Sequence, residues 1–315
     1  MPPMGRYNEL RLSTTRRGLF PAKWFITTKT SLFAFANTNT TTTAQRKSNT
    51  TICPTANSIP SKSLSMLSAM TDMTPISLAE MAGVKLMNRI DTKFVANACL
   101  LPEILRLAQQ DYYVQEIDGQ RLTAYDTLYY DTLDLQMYLR HHDRQLRRQK
   151  IRVRTYVDSQ LTFLEVKNKS NKGRTKKKRI EVETNDLRTL APDQTEWLGE
   201  KSWYSLSALQ PQLHTRFERI TLVNRAKTER LTIDTRLRWE NVQTGQNAAL
   251  GDVIIIELKR DGYQPSEMVE ILRSLRVNPM KISKYCIGTA LTNATVKNNR
   301  FRPKLRQLAK LAARG

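Results

Sequence analysis

The stretch that most constrains the fold is Arg148-Gln149-Lys150-Ile151-Arg152-Val153-Arg154-Thr155-Tyr156. In an extended strand alternate side chains point to opposite faces. Arg148, Lys150, Arg152 and Arg154 then share one face, with Ile151, Val153 and Thr155 on the other. A face made only of cations cannot rest on an apolar core. It is either washed by solvent or lines a cavity for a polyanion, and this strand alone leaves both readings open. Other segments repeat the pattern. Residues 89–95 group Arg89, Asp91 and Lys93, residues 161–169 group Glu165, Lys167 and Lys169, and residues 175–182 group Lys177, Arg179 and Glu181. Further on, Phe217, Arg219 and Thr221 share a face, as do Arg230, Thr232, Asp234 and Arg236, and then Glu257 and Lys259.

An open sheet could leave such faces to water. A closed antiparallel barrel would turn them inward and make a polar tunnel. Cations packed that closely repel, so anions or water must fill the space. A few acids among them, notably Glu257, Asp91 and Glu165, could hold a divalent metal through oxygen ligands. Cations and a bound metal are the parts phosphoryl transfer needs, because its transition state spreads negative charge over phosphate oxygens.

Charge points the same way. The 315 residues carry 51 Lys and Arg against 29 Asp and Glu, a net +22, which favours a polyanionic partner. Cys53, Cys99 and Cys286 form no CxxC pair, which argues against structural zinc and for a reducing compartment. No apolar run approaches the roughly 18 residues of a membrane span.

Residues 1–72 are rich in Ser, Thr and Asn, and Glu9 is their only acid before Asp72. They show no helical or strand period, so disorder is expected. An organellar transit peptide and a misassigned start, with Met70 or Met73 the true beginning, are the other readings. Structure is expected from Pro75, with a capping box at Ser77 and Glu80 opening a helix to about Met87. Helices are expected over 102–110, 134–141 and 266–276, with strands between them. Lys281-Ile282-Ser283-Lys284-Tyr285 reads as a loop. The folded domain is expected over 73–292, followed by a basic helical tail over 293–315.

The ordered set of these pieces resembles the VTC domain, the polyphosphate polymerase branch of the triphosphate tunnel metalloenzyme superfamily. The pieces are Leu86-Met87-Asn88-Arg89-Ile90-Asp91-Thr92-Lys93-Phe94, Tyr129-Tyr130-Asp131-Thr132, Lys150 to Tyr156, Phe163-Leu164-Glu165-Val166-Lys167, Lys177-Lys178-Arg179-Ile180, Arg230-Leu231-Thr232-Ile233-Asp234, Glu257-Leu258-Lys259 and Lys281 to Tyr285. Each is weak alone; their order and strand phase together are specific. The resemblance implies an α+β fold, a closed antiparallel barrel of about eight strands with flanking helices. It implies transfer of the terminal phosphate of ATP onto polyphosphate inside the tunnel. Carried over by position, Lys93, Arg152, Arg154, Lys167, Lys177 and Arg219 would bind the triphosphate and the polymer end. Arg230, Lys281 and Lys284 would complete the lining, with Arg179 and Lys259 on the same face. Glu257 would hold Mn2+ or Mg2+.

The chain departs from the superfamily at large in one place. Hydrolases and cyclases begin with an ExExK strand, where this chain has Arg89-x-Asp91-x-Lys93. The exchange adds charge for longer anions and removes a metal ligand. Asp91 is as readily a partner of Arg89 or Lys93 as a metal ligand. The alternatives are a triphosphate or polyphosphate hydrolase of the same fold and a non-catalytic polyphosphate or nucleotide-binding module. No sequence-specific nucleic-acid binding is expected, because the charged faces hold few rings for stacking. A stand-alone cytoplasmic protein is expected.

Overall fold

A computed structural model describes residues 59–81 and 89–314. Helix α1 (Ile59–Thr71), strand β1 (Pro75–Ile76) and the short helix α2 (Leu78–Met81) precede β2 (Arg89–Asn97), α3 (Leu101–Ala108), β3 (Tyr112–Gln115) and β4 (Thr123–Asp131). Next come α4 (Gln136–His142), β5 (Arg148–Tyr156), β6 (Leu161–Lys169), β7 (Thr175–Glu181) and α5 (Pro192–Lys201). The chain continues through β8 (Gln210–Asn224), β9 (Glu229–Asn241), β10 (Asn247–Ala249), β11 (Val253–Asp261), α6 (Glu267–Ser274), α7 (Lys284–Thr292) and α8 (Arg302–Ala312).

One antiparallel path runs β2-β11-β9-β8-β4-β5-β6-β7. The expected closed barrel is corrected here: among the described residues β2 and β7 do not pair, and the sheet is a curled half-barrel. Both ends resist pairing for physical reasons. β7 carries Lys176, Lys177, Lys178 and Arg179 in succession and is exposed along almost its whole length, a composition that blunts an edge. The outer side of β2 is met at Phe94 by an isolated bridge to Pro279, which has no N–H with which to extend a ladder.

The two faces of the sheet are covered by different helices. Behind β2, β11, β9 and β8, the residues Phe94, Ile220, Leu222, Leu231, Ile233, Ile254 and Ile256 pack with α3, α6 and α1. Behind β5 and β6, Ile151, Val153, Leu164 and Val166 pack with Leu198 of α5. One end of the concave face is filled by α7 and α8, whose Tyr285, Ile287 and Leu308 meet Tyr129, Leu213, Phe217 and Trp239. That apolar plug leaves the charged rows of the sheet to line the rest of the concavity.

Two anchors hold the plug. Asp131, fully buried, accepts N–H bonds from Thr132, Met137 and Tyr138 at 2.8, 2.8 and 2.9 Å and the Tyr285 hydroxyl at 2.6 Å. It thereby ties the start of α4 to α7. Ser283 caps α7 through the Cys286 N–H. The segment read from sequence as a loop thus enters a helix at Lys284. The Ser77–Glu80 capping box is present, with Ser77 N–H to Glu80 at 2.8 Å. The rest of the helix expected to run to Met87, and the piece Leu86-Met87-Asn88, lie outside the described residues.

Order begins earlier than Pro75, because α1 packs Met66 and Met70 against the α3 cluster. The disorder, transit-peptide and start-site readings cover residues 1–72; of these 59–71 form α1, Met70 and Met73 are both buried, and 1–58 lie outside the described residues. Cys286 is a free buried thiol, and Cys53 lies outside the described residues. No helix among the described residues is long and apolar enough to cross a membrane.

Candidate functional site

Register puts the charged residues onto one surface. Residues paired directly across strands share a face. On the β2 side the pairs are Lys93 with Glu257, Asp91 with Lys259, Lys259 with Arg230 and Glu257 with Thr232. The middle of the sheet adds Thr232 with Thr221, Asp234 with Arg219 and Arg219 with Thr123. On the β7 side Tyr129 opposes Arg152, Arg152 opposes Glu165, and Glu165 opposes Arg179. The row Lys150, Lys167, Lys177 lies beside it. Lys93, Arg152, Arg154, Lys167, Lys177, Arg179, Arg219, Arg230, Glu257 and Lys259 therefore share the concave face.

Lys284 reaches the same surface from α7. Its ammonium bonds Asp234 and lies 4.5 Å from the Phe217 ring centre. Lys281 is exposed, two residues before the α7 cap. It stands at the rim and is not part of the packed centre.

Carboxylates organise the centre. Glu165, 1 % exposed, takes Arg152 at 2.6 Å and Lys177 at 2.6 Å. Burial alone would raise its pKa, but Arg152, Arg154 and Lys177 outweigh that and hold the carboxyl well below the usual range. Asp234 accepts both arms of Arg219, at 2.6 and 3.0 Å, and the Lys284 ammonium. These neighbours likewise overcome its burial and keep it ionised. Glu257 bonds Lys93 and, at 3.0 Å, Lys259. Asp91 pairs with Arg89 at 2.6 Å.

Arg154, Arg230 and Lys167 have no salt bridge among the described residues. Arg154 is 7 % exposed, and among the described residues its guanidinium meets the Thr127 hydroxyl at 3.2 Å and the rings of Tyr125 and Phe217. Burial and the nearby Arg152 and Arg219 lower its pKa. Burial, with Arg89 and Arg219 adding repulsion, does the same for Arg230. Burial and the neighbouring Lys150 bring Lys167 down to about 8. Burial brings Lys259 to about 8, even with Glu257 beside it.

Two residues of this surface were given no role by the sequence reading. Tyr129 is buried and its hydroxyl accepts from Arg152 at 3.2 Å. Burial would raise its pKa, but Arg152, Arg154, Lys150 and Lys284 bring it down to about 8. The Thr232 hydroxyl is buried with no partner among the described residues, in register between Glu257 and Thr221. The signal for Thr232 was its place between Arg230 and Asp234 in a period-two strand; Tyr129 stood in the piece Tyr129-Tyr130-Asp131-Thr132, with nothing to give it a role.

The VTC domain profile matches residues 88–293. The chain belongs to the VTC domain family. The match spans every strand of the path above and α7, and it ends before α8. Among solved structures, a candidate adenylate cyclase from Vibrio parahaemolyticus is 10 % identical with a TM-score of 0.39, covering 64 % of this chain and 99 % of that one. A candidate adenylyl cyclase from Hippeastrum, described as having a dominant triphosphatase activity, is 13 % identical with a TM-score of 0.39, covering 65 % and 96 %. A search of curated proteins finds no match.

The donor set bears on the metal expected for this VTC domain. The described residues hold no group of three or more His, Cys, Asp or Glu side chains able to ligate an ion together. Asp91, Glu165 and Asp234 are each occupied by cations. A cage built from protein alone does not fit. A single carboxylate completed by phosphate oxygens and water does fit, since Mg2+ is commonly bound that way. Glu257 is likewise paired, with Lys93 and Lys259.

Proposed function

We propose that this VTC domain is a metal-dependent polyphosphate polymerase that transfers the terminal phosphate of ATP onto a polyphosphate chain on the concave face. The buried Arg154 carries this reading. A buried guanidinium with no salt bridge among the described residues, beside Arg152 and Arg219 and offset only by the more distant Glu165, costs stability unless an anion shares the space. The unpartnered Thr232 hydroxyl is placed to donate to a phosphate oxygen.

In this reading Arg152, Arg154 and Arg219 hold the triphosphate. They are pre-set by Glu165, Asp234 and the Tyr125 and Phe217 rings, so little reorganisation accompanies the reaction. Lys93, Lys259 and Arg230 line the β2 side. Lys167, Lys177 and Arg179 line the β7 side, where they can hold the second anion. Bringing two polyanions together is the main electrostatic obstacle, and cations on both walls of one curled sheet reduce it. Lys281 and Lys284 extend the lining toward α7. A Mn2+ or Mg2+ held by Glu257 would neutralise phosphate charge.

The test is Glu257→Gln. Metal-dependent turnover of ATP should be lost while tripolyphosphate binding stays within a fewfold of wild type. Full activity in the variant would remove the metal role. The other readings within the fold are a hydrolase and a binding module.

A further inference from the structure

Beyond the row of Lys150, Lys167 and Lys177, the β5–β6 ladder has one more rung on the same face, Arg148 opposite Lys169. Like charges directly opposite each other destabilise a sheet. Two consecutive rungs of them, with no acid between, are a costly arrangement. The flanking helices add to the charge. Lys150 Nζ donates to Ser283 Oγ at 3.0 Å, which brings the α7 cap and the preceding Lys281 to this end of the ladder.

α8 contributes Lys304. The helix is seated by buried Leu308 and by Asn97 Nδ2 donating to the Leu311 carbonyl at 2.8 Å. Burial, with Lys281 among the repelling neighbours, lowers the pKa of both Lys169 and Lys304. Arg148, Lys169 and Lys304 lie near His141, whose ring is kept neutral by burial and by the surrounding cations. None of Arg148, Lys169, Lys281 and Lys304 has a salt bridge among the described residues. This differs from the centre, where Glu165, Asp234 and Glu257 each hold two cations.

We infer that Arg148, Lys169, Lys281 and Lys304 form a second anion-binding patch, continuous with the central site, that holds the part of a polyphosphate chain lying beyond the transferred phosphates. The inference rests on the polyanion reading of the centre and adds a length requirement to it. Triphosphate-sized anions fill the centre without reaching the outer rung, whereas a long chain contacts both. α8 lies outside the family match, so Lys304 is a feature of this chain and is not implied by its family. A polyphosphate chain is favoured over single-stranded nucleic acid, because base binding adds stacking rings and these rungs carry none.

The experiment measures binding of tripolyphosphate and of long-chain polyphosphate to the full chain and to a triple variant, Arg148→Gln, Lys169→Gln and Lys304→Gln, across a salt series. Tripolyphosphate affinity should stay within about twofold. Long-chain affinity should fall on the order of tenfold, and its log–log salt slope should flatten by about 2, at about 0.7 per lost phosphate contact. Melting should not drop, because a repulsive rung has been removed.

Equal loss for both anions, or no loss for either, would overturn the patch. A single-stranded oligonucleotide bound as tightly as polyphosphate, and weakened by the same variant, would assign the patch to nucleic acid and overturn the polyphosphate reading. A wild-type protein that binds the long chain but not tripolyphosphate would refute the central site alone, leaving the patch to be decided by the variant.

Discussion

Glu165→Gln removes one charge from a site that already has too few acids. Glu165 is 1 % exposed and Arg152 22 %, so their ion pair is poorly screened, whereas Lys177 at 42 % is well solvated and contributes little. Breaking a buried pair by removing one partner costs about 3–5 kcal/mol. The low end applies, because Gln keeps an acceptor oxygen and Arg152 keeps the Tyr129 hydroxyl. A loss of about 3 kcal/mol lowers the melting temperature by roughly 6–12 °C in a domain of this size.

The pH dependence has a definite sign. The folded carboxyl is held below its ordinary value, so its contribution is fully present above about pH 4.3 and is lost as pH falls through the folded pKa. Variant and wild type should therefore converge only in strong acid. Tripolyphosphate at a hundred times its Kd should add about 2.7 kcal/mol to either protein. Thermal melts with and without the anion measure both effects. A variant that melts with the wild type at pH 7 would show that Arg152 is compensated elsewhere and would sink the reasoning.

Lys167 and Lys259, each near 8, should take up protons when a polyanion binds at pH 8, because the anion raises their pKa values. Calorimetry in buffers of different ionisation enthalpy should register that uptake, and none would count against their place in the site. Without added anion the same lysines release protons on folding between about 8 and 10.4, so their share of stability rises with pH across that window. Tyr129→Phe should abolish a tyrosinate absorbance change centred near pH 8; its persistence would assign that titration to another tyrosine. Gly288→Ala should cost about 1–3 kcal/mol, since a Cβ there would lie 2.6 Å from Trp239 Nε1 and 2.7 Å from Leu213 Cδ2. A neutral denaturation midpoint would mean that α7 can shift.

Strand phase was legible because each cationic face follows a period of two, and the observed register keeps ten of the expected site residues on one surface. Closure was not legible. It depends on how two edges separated in the chain meet, and Pro279 and the lysines of β7 oppose pairing only once they are placed at those edges. α7 was missed because Tyr285, Cys286, Ile287 and Gly288 are all buried. A helix apolar all round shows no amphipathic period. Asp91 and Glu165 stayed open between metal and ion-pair roles because sequence lists charges without partners. Arg89 beside Asp91, and Arg152 across from Glu165, give those carboxylates to cations instead.

The most direct measurement is product analysis of the full chain incubated with ATP and Mn2+, with polymer resolved on a gel and ADP quantified beside it. Long-chain polyphosphate with matching ADP is the expected result. Orthophosphate with ADP and no polymer would contradict the polymerase reading in favour of hydrolysis. Tight binding of ATP or polyphosphate without turnover would reduce the site to a binding module.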